Sequence, residues 1–348
     1  MARRMPGASR VLRHPRTIVQ LALLLTMVVL LVVAMVTGWN SATTEVDRVA
    51  AERGGVAYLR PLTTLISELA EAESASVRGM EIQTVAINGA INAVDSADRE
   101  YGQSLEVRTR WSDIRKIINE TIERDQGSLE AFEQYSEVLT LIRQLIRRIA
   151  DTSGLRLDPS LDTSHLARAA LVELPDVIIG AGKAADLAVL DNTGGEAETT
   201  RLTRVAVARY EIAVAAETVG IGLARAQDET ASRTLGTTIP AQLDAFRSAV
   251  DAFVPSGTRL RGLGPSDPAS ITHLAELVRQ AARPLAEAVL DELDDILRQR
   301  QDSLCTRRLR TSALPGLATL LAVVVAWLLL PPPGNAAHRG RERADDAG

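Results

Sequence analysis

Thr17 to Thr37 is a run of twenty-one residues without a charge, and Gln20 and three threonines are its only polar side chains. Wound as a helix rising 1.5 Å per residue, it is long enough to cross a hydrocarbon core of about 30 Å. A second uncharged stretch, Thr311 to Leu330, lies close to the other end. If both cross a membrane, everything between them lies on one side of it.

The first span is flanked by Arg3, Arg4, Arg10, Arg13 and Arg16 on one side and by Glu45 and Asp47 on the other. Positive charge stays in the cytoplasm, so the N-terminus is expected inside and the central region outside. A cleaved signal peptide also starts with positive charge. Its apolar region is only about 7–15 residues, however, and no A-x-A site follows Thr37 at a suitable position. At the second span arginines flank both sides, so charge does not decide the direction there. An even number of spans returns the C-terminus to the cytoplasm. Pro315 is expected to kink the start of this span and Pro331-Pro332-Pro333 to stop it. Trp39 and Trp327 suit interfacial positions.

The organisation expected is a basic tail over 1–16, a transmembrane helix over 17–38, an extracytoplasmic domain over 39–310, a second transmembrane helix over 311–331 and a cytoplasmic tail over 332–348. The chain is 46% hydrophobic but only 3% aromatic. A core of Ala, Leu, Val and Ile suits closely packed helices. Lys116 and Lys183 are the only lysines, which points to a coding bias toward arginine, and a net charge of −5 argues against a nucleic-acid surface. Cys305 is the only cysteine, so it is either a free thiol near the membrane or half of a disulfide across a symmetric dimer.

Apolar residues recur at helical spacing throughout, and no strand pattern of useful length occurs. The first helix is expected to run from the membrane through Val49, Val56, Leu62 and Leu69, with a bend or break at Gly54-Gly55 and Pro61, and to resume through Val77, Met80, Ile87 and Ile91. Asp95-Ser96-Ala97-Asp98 reads as a turn before a second helix to about Arg124. A third helix starts at Ser128, with Leu129, Phe132, Leu139, Ile142, Ile146 and Ile149 as its stripe. Ser153 to Thr163 reads as a loop. A fourth helix covers about Ser164 to Leu190, kinked at Pro175. Asn192 to Glu196 breaks the chain before a fifth helix, about Glu198 to Leu235, and a sixth, about Pro240 to Phe253. After a loop over Pro255 to Pro268, the last helix runs from about Ser270 through Arg310. The fold class expected is all-α: an elongated antiparallel helical bundle, with two stacked bundles, between two transmembrane helices.

Two stretches carry a resemblance. They are Glu52-Arg53-Gly54-Gly55-Val56-Ala57-Tyr58-Leu59-Arg60-Pro61-Leu62, and Leu157-Asp158-Pro159-Ser160-Leu161-Asp162-Thr163-Ser164 with Leu174-Pro175 beyond it. With the flanking spans, they resemble the helical periplasmic sensor region of bacterial transmembrane receptors: methyl-accepting chemotaxis proteins, sensor histidine kinases and diguanylate cyclases. The resemblance implies a dimeric, all-helical, ligand-sensing module that moves its second membrane helix. Such receptors continue into an output domain, whereas here Pro331 to Gly348 leave no room for a kinase, cyclase or methyl-accepting hairpin.

Catalytic chemistry finds little support. His14, His165, His273 and His338 have no metal-ligand spacing. No nucleophile elbow or phosphate loop is present. Gly180-Ala181-Gly182 and Gly220-Ile221-Gly222 fit close helix packing better than phosphate binding. The acidic pairs Glu71 with Glu73 and Asp294 with Asp295 diverge around a helix and read as solvated faces. Arg78, Gln83, Asn88 and Asn92 are polar residues in a mostly apolar stretch. Arg78, Asn88 and Asn92 are the candidate ligand-binding residues, with exposed or capping roles as the alternative. Neither a cofactor nor a metal is expected. The expected partners are the lipid bilayer, a second copy in a homodimer and a separate transmitter protein, without nucleic acid. The functional expectation is a non-enzymatic, membrane-anchored, sensor-like protein. The alternatives are a structural or interaction protein of the cell envelope and a truncated receptor without output.

The topology is tested by introducing single cysteines at Ser41, Gly194 and Gly334 in a chain whose Cys305 is serine. Impermeant reagents are expected to label the first two from outside and the third only after permeabilisation. Labelling at 334 from outside, or cleavage near Trp39, contradicts it.

Overall fold

In a computed structural model of the chain, residues 15–124, 128–157, 161–190, 198–229, 238–254 and 267–329 are described. Among them every regular element is a helix, so the protein is all-α. The α-helices are α1 (Pro15–Val77), α2 (Thr84–Tyr101), α3 (Arg108–Glu123), α4 (Ser128–Ser153), α5 (Leu161–Arg168), α6 (Leu174–Leu190), α7 (Glu198–Glu229), α8 (Thr238–Phe253) and α9 (Pro268–Leu329). A 3-10 turn occupies Leu155–Leu157 and a π-helical turn Ala169–Glu173. The chain divides into two compact units, one made of Met1–Val46 and Asp302–Gly348 and the other of Asp47–Gln301.

In the first unit the backbone is helical over Thr17–Thr37 and over Thr311–Leu329. Among the described residues, no helix is long and apolar enough to cross a membrane. Most side chains of Thr17–Thr37 and Thr311–Leu330 lie outside the described residues, as do both tails with His14 and His338. The expected breaks at 125–127, 192–196 and 255–266 also lie outside them.

The second unit departs from the sequence expectations at three points, each with a physical cause. First, α1 is continuous through Gly54, Gly55 and Pro61. A helix-interior proline costs about 3 kcal/mol and each glycine about 1 kcal/mol. Against this, Val56, Leu59, Leu62, Leu65, Ile66 and Leu69 are all at most 2% exposed, and each buried side chain of this size contributes about 1.5–3 kcal/mol. The glycines serve packing. A Cβ on Gly54 would stand 3.0 Å from the Tyr101 ring, and one on Gly55 would stand 2.7 Å from Ser153 Cβ.

Second, α1 stops at Val77 instead of continuing to Ile91. Gly79 takes φ +66°, the Met80 N–H donates to the Ala75 carbonyl (2.8 Å) and the Gly79 N–H to that of Ser76 (3.0 Å). This is a Schellman stop with glycine in the left-handed region. Third, Asp95-Ser96-Ala97-Asp98 lies inside α2, and the turn comes at Gly102–Val107. Both aspartates are used across helices. Asp95 accepts from Trp111 Nε1 (2.8 Å) and pairs with Arg115 (3.0 Å), and Asp98 accepts from the buried Tyr58 hydroxyl (3.0 Å).

The expected kink at Pro175 takes the form of the π turn. The Leu174 N–H reaches back to the Ala169 carbonyl, so the ladder is rearranged just before the residue that has no N–H. Leu129, expected in the stripe of α4, is 61% exposed, while Tyr135 and Val138 are buried. Helix α6 packs along α7, which also meets α5 and α8. Gly180 admits Ile212 at 3.1 Å, and Arg209 lies 5.0 Å over the Phe253 ring.

Helices α1 and α9 run antiparallel within this unit. Arg53 donates to Asp294 (3.0 Å), Arg60 to Asp291 (2.5 Å) and Arg283 to Glu68 (2.8 Å), so positions rise along one helix as they fall along the other. Asp294 and Asp295 are therefore members of ion pairs rather than only a solvated face.

A matched pair of substitutions tests the packing role of the glycines. Gly89 lies on the exposed side of α2 with open space where a Cβ would stand, so Gly89→Ala is expected to stabilise by up to about 1 kcal/mol. Gly55→Ala forces Ser153 aside and is expected to destabilise by about 1–2 kcal/mol after the propensity gain. Denaturant unfolding of both variants checks the opposite signs, and stabilisation of both would remove the packing role of Gly55.

Candidate functional site

The core stripe of α1 runs through Ile66, Leu69 and Ala70 into two polar residues, Glu73 and Ser74, which are 1% and 0% exposed. Glu73 accepts from the Ser136 hydroxyl of α4 (2.8 Å). Ser74 donates to Asp186 Oδ2 of α6 (3.1 Å). From α9, Arg279 enters the same region. Its Nη1 donates to the Ala70 carbonyl (3.1 Å) and lies 3.5 Å from the Ser74 hydroxyl, while its other nitrogens donate to Glu276. Gly182 faces this point, where a Cβ would stand 3.6 Å from Arg279 Nη1. Four helices thus meet around two carboxylates and one guanidinium inside an apolar core.

Burial controls the electrostatics. Desolvation, with the neighbouring Asp186 charge adding to it, pushes the Glu73 carboxyl up to about 8 despite the Ser136 hydrogen bond and Arg279. Desolvation raises Asp186 to about 7, against the pull of Ser74, Arg279 and Arg78. Glu276 is also partly desolvated, but Arg279 holds it below the usual carboxylate range. Near neutral pH the buried pair therefore holds a proton that the unfolded chain would release. Asp186 Oδ1 and Arg78 Nε are buried and have no hydrogen-bond partner.

The expected ligand-binding residues separate. Arg78 stands just past the end of α1 and acts electrostatically on Asp186 and Glu276. Asn88 and Asn92 are exposed on α2, and Gln83 is exposed before it. Glu71 is exposed, but Glu73 is not the solvated residue expected. Its place in the sequence carried a signal, because it falls four residues after Leu69 and seven after Ile66, on the core stripe. Asp186 gave no comparable signal, because its partner Ser74 lies 112 positions away.

The hydroxyls here are bound to carboxylates, and the two carboxylates are closed off from solvent, so the cluster offers no route for a substrate. Among the described residues no group of His, Cys, Asp and Glu could hold a metal ion; His165 is half-buried and His273 exposed. What the arrangement can do is lock helices together and bind a proton. A separate open cleft of about 620 Å³ lies beside α4, α5 and the π turn, with Arg147, Arg156, Arg168 and His165 around the apolar Ile146 and Leu171. Arg156 pairs with Asp151 (2.8 Å) and Arg168 with Glu173 (3.0 Å), so the cleft is basic but partly compensated.

The raised carboxyls fix the sign of a pH effect. Their stabilising contribution is complete below the ordinary values of 3.8 and 4.5 and is lost as pH rises through about 7–8. The melting temperature is expected to fall from pH 5.5 to pH 9. Glu73→Gln is expected to flatten this slope and to be more stable than the parent at pH 9. A parent slope that rises, or one unchanged in Glu73→Gln, contradicts the assignment.

Comparison with protein-family models, with curated proteins and with solved structures finds no match for this chain.

Proposed function

We propose that the chain is a membrane-anchored, extracytoplasmic, sensor-like helical protein without enzymatic activity, which binds a small ligand or a partner and acts through a separate signalling protein. The observation that carries this reading is the lock between α1 and α9. In sequence these two helices carry the two uncharged stretches, and in the second unit they are joined by three cross-helix ion pairs and by Arg279. A ligand that alters the lock acts on the two elements that lead to the membrane. Within the first unit, Leu30 is 70% exposed, Leu320 65% and Leu321 62%, as lipid-facing side chains would be. In this reading the helices form an elongated antiparallel arrangement of two stacked bundles, and two copies pair in parallel.

A specific observation favours the second reading, an interaction protein of the cell envelope. Val207, Tyr210, Val214 and Ile221 are 45–67% exposed at spacings of three, four and seven residues on α7. Such a stripe on one helix face suits contact with another protein.

Thermal-shift screening of the detergent-solubilised full chain against amines, carboxylates and phosphates separates the two. The sensor reading expects at least one compound to raise the melting temperature and to slow hydrogen exchange around Ala70 and Arg279. No response to any compound would leave the interaction reading. Pairing is checked by oxidation in membranes. Cys305 is exposed, and a parallel dimer with this residue near its axis is expected to form a covalent dimer that Cys305→Ser does not form. A monomer by both crosslinking and light scattering contradicts the dimer.

A further inference from the structure

A groove of about 520 Å³ runs between α8 and α9, away from the buried cluster, with Arg60 of α1 at its edge. Five carboxylates line it, and three of them are matched. Asp291 pairs with Arg60, Asp294 with Arg53 and Arg298, and Asp295 with Arg298. Glu287 and Glu292 have no cation among the described residues.

Glu292 is the informative one. It is 4% exposed, lines the groove, and has neither a hydrogen bond nor an ion pair among the described residues. Its carboxylate oxygens are not among the sealed, unpartnered atoms, so they open onto the groove, where a bound cation would supply the charge partner that the chain does not. Beside it, Gln242 Oε1 on α8 is a buried acceptor without a donor. Glu292, the exposed Glu287 and Gln242 therefore line one groove, and no donor among the described residues serves Glu292 or Gln242 Oε1.

We propose that this groove binds an organic ammonium cation, with Glu292 as its charge partner and Gln242 and Glu287 accepting the remaining N–H groups. A primary ammonium has three donors and no acceptor, which complements three acceptors. Ile239, Pro284 and Ala288 supply an apolar wall for a short hydrocarbon stem, and the volume lies within the range of small-ligand sites. A metal ion fits less well, because no group of carboxylates here has metal-holding geometry among the described residues. The proposal rests on the reading of this unit as a ligand-binding module and names its ligand class.

The test is calorimetric titration of the full chain in detergent with 1,4-diaminobutane. Tetramethylammonium, Mg²⁺ and sodium succinate serve as separate probes. Saturable binding of 1,4-diaminobutane is expected, weakened at least tenfold by Glu292→Gln and about fivefold by Gln242→Leu. Both variants keep the size of the side chain, and circular dichroism confirms their fold. Tetramethylammonium, which has no N–H, is expected to bind at least tenfold more weakly. Equal binding of tetramethylammonium, saturable displacement by Mg²⁺, or an affinity unchanged in both variants overturns the proposal. If succinate binds and the diamine does not, this inference fails while the sensor reading stands. If no probe binds here and none acts in the thermal-shift screen, both fail.

Discussion

A guanidinium held inside a helical core is the constraint on which the second unit depends. Arg279 is 7% exposed, and its donors must all be used there. One reaches the carbonyl of Ala70 and others reach Glu276, while Ser74 carries the contact on to Asp186. An arginine in such a place is costly unless its charge is answered, and the answering groups come from α1, α6 and α9. The arrangement fixes which residue of α9 lies against which residue of α1. The outer ion pairs at 53–294, 60–291 and 68–283 then follow the same register. Apolar stripes of Ala, Leu and Val alone would tolerate sliding by a turn far better than this polar contact does.

The same cluster sets the response to protons. Glu73 and Asp186 have Arg279 in common, with Lys183 acting on the first and Arg78 on the second, yet burial outweighs these cations and keeps a proton on the pair near neutrality. The lock is thus sensitive to what happens around it. A movement of α9 that withdrew Arg279 would take away the cation common to both carboxyls, and one that admitted water would release the proton. The proposed sensor role would need coupling of this kind between a bound ligand and helix position.

Much of the fold is legible in the sequence. Helical spacing of apolar residues identifies most of the helices, and Gly180 is a packing position against Ile212, as its place inside a helical pattern implies. The errors come where long-range packing overrides local preference. Gly54-Gly55 and Pro61 look like a break, but six buried aliphatic residues outweigh them. Asp95 and Asp98 look like turn residues, but Trp111 and Tyr58 use them across helices. The cluster is only half legible. Glu73 can be recognised from its place on the stripe, whereas Asp186 and Arg279 acquire meaning only when the chain brings them beside Ser74. The groove under Glu292 is not legible at all, since an unmatched carboxylate is defined by what its neighbours fail to supply.

The most direct measurement of the central claim is a double-mutant cycle at Arg279 and Asp186, followed by denaturant unfolding of the full chain at pH 7.5. Arg279→Met alone is predicted to cost about 2–3 kcal/mol, because it removes the charged donor to the buried Ala70 carbonyl and the cation that Asp186 shares with Glu73. Adding Asp186→Leu is predicted to recover more than about 1 kcal/mol of that loss, since the second change removes the charge the first one stranded. Losses that simply add, or an Arg279→Met variant as stable as the parent, would show that the arginine does not hold the helices together.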